Sequence, residues 1–119
     1  MFFIDDSVRL QGKALYASIP FFKDEHVYTL KGPVSKVRTK YTIEIGKNKH
    51  ITDNYGIYIN HSSHPSVKII GNNIIAVRDI MPGDEITFDY NDSETTICTP
   101  FIDMDTGLIV NGKMGKTKL

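Results

Sequence analysis

Cysteine is almost absent from this chain of 119 residues: Cys98 is the only one. A single cysteine excludes an internal disulfide, and it excludes a zinc cluster built from several cysteines of one chain. A reducing compartment fits that usage. Charge of one sign is also lacking, since Lys+Arg and Asp+Glu number 14 each. This balance argues against nucleic acid as the main partner, because phosphate binding leaves a basic footprint. No apolar run approaches the ~20 residues that a membrane-spanning helix needs. The start, M-F-F-I-D-D, has no basic region ahead of its short apolar patch, so no signal peptide is read there. The expectation is a soluble intracellular protein without a membrane partner, in cytoplasm or nucleus. Sustained helical periodicity, internal repeats and low-complexity segments are missing as well.

What is present is strand signal. The length suits one domain with one modest core, and 40% hydrophobic with 24% charged residues is ordinary for a soluble globular protein. Residues 1–18 read as short strands, with Val8, Leu10, Ala14, Tyr16 and Ser18 alternating loosely around Gly12. Pro20 breaks that run, and His26–Leu30 follows as another strand. Tyr41–Ile45 (Y-T-I-E-I) alternates cleanly and is rich in β-formers. It leads through the turn Gly46–Lys49 into His50–Thr52. Val67–Ile70 and Ile74–Val77 flank Gly71-Asn72-Asn73, residues that tolerate positive φ, so this segment reads as a hairpin. Met81–Asp84 is a turn, Glu85–Tyr90 a strand, and Asn91–Pro100 a polar loop. The fold class is mostly β, made of many short strands.

Two polar-aromatic knots stand out, Asn60-His61-Ser62-Ser63-His64-Pro65-Ser66 and Gly83-Asp84-Glu85-Ile86-Thr87-Phe88-Asp89-Tyr90. They resemble, in order and spacing, the N-H-S-C-x-P-N and G-E-E-L-T-F-D-Y signatures of the SET-domain protein lysine methyltransferases. Either one alone is a weak signal. Two of them about two dozen residues apart, bridged by a strand pair, are specific. The resemblance extends to Ala14–Val27, which is similar to the family's opening segment. It extends also to Gly32–Ile51, similar to R-Y-T-I-Q-I-G-like stretches of small SET proteins, and to Pro100-Phe101, similar to the start of the family's tail.

The resemblance implies a SET-type fold of short curved sheets around a threaded crossing near Asn60–Ser66. Residues 1–92 would form the core and 93–119 a short tail. It implies methyl transfer from S-adenosylmethionine to the ε-amine of a lysine in a protein, a histone tail being the family-level candidate. Cofactor and lysine would enter from opposite sides and meet near Tyr90, which matches the catalytic tyrosine. Lys13, Ala14, Leu15, Asn60, His61 and Tyr90 would contact the cofactor. Tyr55, Tyr58 and Phe88, with Tyr41, would wall the lysine channel, because aromatic rings suit an aliphatic stem and a cation at its mouth. Phe88 lies two residues before Tyr90 and therefore points to the same strand face. A Phe there leaves room and lacks a hydroxyl, which favours higher methylation states. No metal and no acid–base dyad is required. So small a chain leaves little surface for substrate selection, which a homodimer or another partner would supplement.

The departures from the family pattern are specific. Ala14 replaces the second glycine of the opening G-x-G and narrows backbone freedom there. Ser63 and Ser66 replace the Cys and final Asn of the first signature. The tail's zinc-binding cysteines are absent, so a zinc-free tail is expected, closing the site by packing around Phe101 and Leu108. These departures motivate the alternative, a SET-like module that binds a peptide or protein without methylating it.

Blander readings accompany each candidate. Tyr90 and Phe88 could be plain strand and core aromatics, and His61 a hydrogen-bonded turn histidine. His61-x-x-His64, with His50 and Cys98, has loose zinc-ligand spacing and no second close pair. Asp103-x-Asp105-x-Gly107 echoes part of a calcium loop, but without the downstream Glu it reads as an exposed acidic turn. Asp24-Glu25 and Asp84-Glu85 fall in turns, where acids are ordinarily solvated. No base is placed beside Cys98 by any motif, so nucleophilic catalysis by it is not expected.

Overall fold

The computed structural model describes residues 1–7, 10, 12–95, 97, 100–103 and 105–113. Val8 and Cys98 lie outside the described residues. The chain is mostly strand, arranged in several small sheets.

The strand signal of residues 1–18 takes the form of an antiparallel pair. β1 (Phe2–Asp6) pairs antiparallel with β2 (Lys13–Ala17), Phe2 opposite Ala17 and Asp6 opposite Lys13. β2 is almost wholly buried, while β1 shows most of its side chains to solvent. Ala14 sits in this regular ladder opposite Asp5 and is fully buried. An L-residue takes extended geometry without strain, so the missing second glycine costs this backbone nothing.

β3 (His26–Thr29) belongs to a separate sheet. β4 (Val34–Ser35), β5 (Ile43–Gly46) and β6 (Lys49–Ile51) form a sheet in the order β4-β6-β5. β5 starts two residues later than alternation suggests. Thr39 and Thr42 fold 39–42 into a turn, the Thr39 N–H donating to the Thr42 Oγ1 and the Thr42 Oγ1 to the Thr39 carbonyl. Such local side-chain bonds compete with a ladder. Gly32 enters this sheet at φ +144°, and a Cβ there would stand 2.0 Å from the Thr52 carbonyl oxygen. Only glycine fits.

Asp53 is a buried junction. Its Oδ2 accepts from the Tyr28 hydroxyl at 2.8 Å and the Lys31 N–H at 2.7 Å. Its Oδ1 accepts from the N–H groups of Tyr55 and Gly56, each at 2.7 Å. Gly56 opens a single 3-10 turn, Gly56–Tyr58. The chain then enters β7 (Asn60–His61).

β8 (Val67–Ile70) and β9 (Asn73–Ala76) form the expected hairpin, closed by Gly71 and Asn72 with Gly71 at φ +59°. β3 adds to its other edge, giving the order β3-β9-β8. β10 is shorter than expected, only Thr87–Phe88, and runs parallel to β7. Asp89 ends it: its side chain accepts from the Asn91 N–H at 2.9 Å and caps α1 (Tyr90–Ser93), one helical turn where a loop was expected. β11 (Phe101–Ile102) and β12 (Ile109–Val110) make a small closing hairpin. The core gathers side chains from most of these elements, Leu15, Leu30, Ile74, Ile80, Ile86 and Phe88 being the largest fully enclosed ones.

Candidate active site

The site forms where 60–66 lies along 85–88. Asn60 is opposite Thr87 and His61 opposite Phe88, and the Ser62 N–H donates to the Phe88 carbonyl at 3.1 Å. Ser66, fully buried, fastens the far end. Its N–H donates to the Thr87 carbonyl at 3.1 Å, its hydroxyl to the Glu85 carbonyl at 3.0 Å, and the Thr87 N–H donates back to Ser66 Oγ at 2.9 Å. A serine where the family pattern has Asn therefore still serves the crossing. The Asn60 amide donates to the Lys13 carbonyl at 3.1 Å and to Glu85 Oε2 at 3.2 Å, tying β2 to both knots.

Tyr90 is placed by its neighbours on every side. Its hydroxyl donates to the Ile59 carbonyl at 2.8 Å, and its N–H donates to His61 Nδ1 at 3.1 Å. The Phe88 ring lies 4.7 Å away, centroid to centroid, and the His61 ring 5.2 Å away. Phe101 from the tail meets both His61 and Tyr90 edge to face. Burial, followed by the charges of Glu94 and Glu85, pushes the Tyr90 hydroxyl above its ordinary range. It stays protonated, so it donates to Ile59 and keeps oxygen lone pairs free to accept.

A narrow cavity runs to this tyrosine. Its wall includes Arg38, Tyr41, Ile57, Ile59, Phe88 and Glu94. Phe88 is almost completely enclosed, whereas Tyr41 is half exposed and carries the Lys40 ammonium 5.1 Å over its ring. Tyr55 stands elsewhere, 5.7 Å from the rings of both Phe2 and Tyr28, and Tyr58 packs half-buried against the core. The structure thus gathers Tyr41, Phe88 and Tyr90 around one cavity and puts Tyr55 and Tyr58 outside its lining. Among the expected cofactor residues, Lys13, Asn60, His61 and Tyr90 form one connected set. Lys13 reaches it through its carbonyl, while its exposed ammonium pairs with Asp6 at 2.7 Å. Ala14 and Leu15 are buried strand residues.

An ion-pair network that the sequence did not announce braces the cavity. Arg38 bonds Glu44 through Nη2, and its Nε lies 3.8 Å from Glu94 Oε1. Glu94 Oε2 accepts from the Glu44 N–H at 2.7 Å, and Glu44 accepts from the N–H and hydroxyl of Thr95 at 2.9 and 2.7 Å. Burial pushes Glu94 up to about 7. Burial also works on Glu44, but its bonds to Thr95 and Arg38 outweigh it and hold that carboxyl below the usual range. His50 is lowered by burial and by Arg38. Glu44, His50 and Glu94 bring three ligand-type atoms within 4.8 Å of one another, but the Arg38 guanidinium already supplies the positive charge there. The loosely zinc-like spacing of His61 and His64 brings the two rings to different partners. His61 Nε2 lies 3.0 Å from Asp103 Oδ2, and His64 is exposed, with Nδ1 3.3 Å from Ser63 Oγ.

The tail corrects two further expectations. Asp103 is not an exposed turn acid but is 5% exposed and faces His61. Leu108 is 69% exposed and closes nothing, so among the tail residues expected to seal the site Phe101 alone packs on it. No spacing rule marks Asp103; only its place after Pro100-Phe101 ties it to the tail.

A family model described as the SET domain matches residues 4–91. The chain belongs to the SET-domain family. The solved structures that resemble it agree on the fold. A Plasmodium falciparum protein provisionally named a histone methyltransferase superimposes with a TM-score of 0.58 at 22% identity, covering 78% of this chain and 99% of that one. A humanised Chaetomium thermophilum Polycomb Repressive Complex 2, bound to the inhibitor GSK126, gives a TM-score of 0.64 at 19% identity. That match covers 94% of this SET-domain chain but only 19% of its counterpart. No curated protein matches the sequence. Among the described residues no helix is long and apolar enough to cross a membrane.

Proposed function

We propose that this SET-domain protein transfers methyl groups from S-adenosylmethionine to the ε-amine of a lysine in a protein substrate. The observation that carries the reading is Tyr90: its hydroxyl is pinned to the Ile59 carbonyl where the Phe88- and Tyr41-walled cavity meets the Asn60–His61 crossing.

The donor set suits the cofactor. A sulfonium is a cation, and the place where it would meet the amine is framed by the rings of Tyr90 and Phe101 and feels the carboxylates of Glu85 and Glu94. Asn60 and the Lys13 carbonyl provide polar edges beside it. S-adenosylmethionine supplies an electrophilic methyl group whose bond to sulfur breaks as the bond to lysine nitrogen forms.

The chain's own residues do the rest. The apolar side chains of Ile57, Ile59 and Phe88 and the Arg38 guanidinium in the same wall disfavour a charged ammonium, against the pull of Glu94, so the lysine sheds a proton to solvent and arrives as a nucleophile. The Tyr90 oxygen accepts a hydrogen bond from the amine and fixes its direction of approach. Alignment of this kind accounts for much of such a rate. The ring of Phe88, without a hydroxyl, holds no extra water against the nitrogen and leaves room for successive methyl groups. A histone tail is the substrate class to try first, and a second copy of the chain would widen the surface that selects it.

Calorimetric titration with S-adenosylmethionine and with its demethylated product tests the reading. Saturable micromolar binding that weakens in Asn60→Ala supports it. No binding at millimolar cofactor would turn the assignment toward a SET-like peptide-binding module.

A further inference from the structure

His61 is held from two sides, and the chemistry of one side dictates the other. Its Nδ1 faces the Tyr90 N–H at 3.1 Å. A peptide N–H can only donate, so Nδ1 is bare and the ring proton of the neutral imidazole sits on Nε2. That proton points at Asp103 Oδ2, 3.0 Å away. Histidine and aspartate are each 5% exposed, so little water competes for either bond. Asp89 Oδ1 also lies 3.7 Å from Nδ1, but it is engaged with the Asn91 N–H at 2.9 Å.

Asp103 is itself fixed before it meets the histidine. Its other oxygen, Oδ1, accepts from the Asp105 N–H at 2.8 Å and the Thr106 N–H at 3.4 Å. Its backbone closes the β11–β12 hairpin, donating to the Leu108 carbonyl and accepting from the Gly107 N–H, both at 2.8 Å. Burial raises its carboxyl, yet the Asp105 N–H and the His61 bond outweigh that and keep it ionised below the ordinary range. The tail hairpin therefore presents a rigid carboxylate to a ring that touches the backbone of Tyr90.

We propose that Asp103 is a positioning residue of the methyl-transfer site: it selects the Nε2–H tautomer of His61, and the bare Nδ1 then anchors the Tyr90 backbone so that its hydroxyl meets the substrate amine. The inference rests on the methyltransferase reading for its consequence but not for its geometry. The buried His61–Asp103 hydrogen bond joins the Phe101 ring contacts in tying the tail to the site. An Asn at 103 cannot do the same work. Turning its carbonyl to His61 aims its NH2 at the Asp105 N–H, donor against donor, and the opposite flip aims NH2 at the Nε2–H.

The test is nitrogen NMR of the His61 ring in the whole protein, with Asp103→Asn and, as a control on the same hairpin, Leu108→Ala. In the wild type a protonated Nε2 and a bare Nδ1 are expected. In Asp103→Asn the ring should lose that single-tautomer signature, and the Tyr90 amide should exchange with solvent at least tenfold faster, while Leu108→Ala changes neither. A protonated Nδ1 in the wild type would overturn the proposal without any variant. So would an Asp103→Asn protein with an unchanged ring signature and unchanged Tyr90 exchange. Turnover adds the consequence: kcat should fall roughly 10- to 100-fold in Asp103→Asn with KM for the lysine substrate within about threefold, the scale seen when a supporting contact slips. If the wild type neither binds cofactor nor transfers methyl, the functional reading fails, while the ring and exchange data still decide the role of Asp103.

Discussion

Replacing Glu94 by Gln should make the protein more stable at neutral and alkaline pH. Glu94 is buried beside Arg38 and Glu44, and burial moves its carboxyl from 4.5 to about 7. The folded state thus holds this proton more tightly than the unfolded chain does. The stability tied to that proton is fully present below pH 4.5, declines as pH rises, and is gone above about 7. Each pH unit of displacement is worth about 1.4 kcal/mol, so the loss by pH 8 is roughly 3 kcal/mol. Glutamine keeps the shape and still accepts from the Glu44 N–H, now at 2.7 Å, but has no proton to lose. Arg38 is already bonded to Glu44 and needs no charge on Glu94, so a gain of about 2–3 kcal/mol at pH 8 is expected. At pH 4.5 the two proteins should agree within about 0.5 kcal/mol, a margin typical of a near-isosteric change. Urea unfolding at both pH values, with equal m-values, measures this directly. An equal effect at both pH values, or a less stable Glu94→Gln protein at pH 8, would refute the reasoning.

Ser66→Ala strips the crossing of the acceptor for the Thr87 N–H and the donor to the Glu85 carbonyl, both buried, and should cost about 2–4 kcal/mol by urea unfolding. Gly32→Ala drives a Cβ into the Thr52 carbonyl at a backbone angle that L-residues avoid, so a loss of at least about 2 kcal/mol in the same assay is expected. Phe88→Tyr places a hydroxyl in the lysine cavity beside Tyr90, and mass spectrometry of the product should show the distribution displaced toward fewer methyl groups per lysine.

The strand-rich class, the β8–β9 hairpin and the two signature knots were legible because each rests on local pattern: alternation, Gly-Asn turn chemistry, and contiguous motifs. The limits of β5 and β10 were not. In both, short polar side chains, Thr39 with Thr42 and Asp89, recruit the backbone into a turn or cap and end the ladder where hydrophobic alternation would continue it. Tyr90 and Phe88 were found by motif, and their shared cavity followed from proximity along the chain. Tyr41 and Tyr55 looked equivalent in sequence, and only long-range packing separates them, one at the cavity and one against Phe2 and Tyr28. Asp53, Glu94 and Asp103 escaped for one reason. An acidic residue in a polar stretch reads as solvated, and what buries each is a set of backbone donors and distant partners that no spacing encodes.

The most direct test of the central claim is transfer of labelled methyl groups from S-adenosylmethionine to a histone mixture and to lysine peptides, run side by side with wild type and Tyr90→Phe. The wild type should label lysine. Tyr90→Phe should lose its bond to the Ile59 carbonyl, keep its fold and cofactor affinity, and fall at least about 100-fold in turnover, the scale of removing one preorganised group from a reacting centre. Equal turnover in the two proteins would contradict the role given to Tyr90. An absence of transfer by a wild type that binds no cofactor would contradict the methyltransferase reading itself.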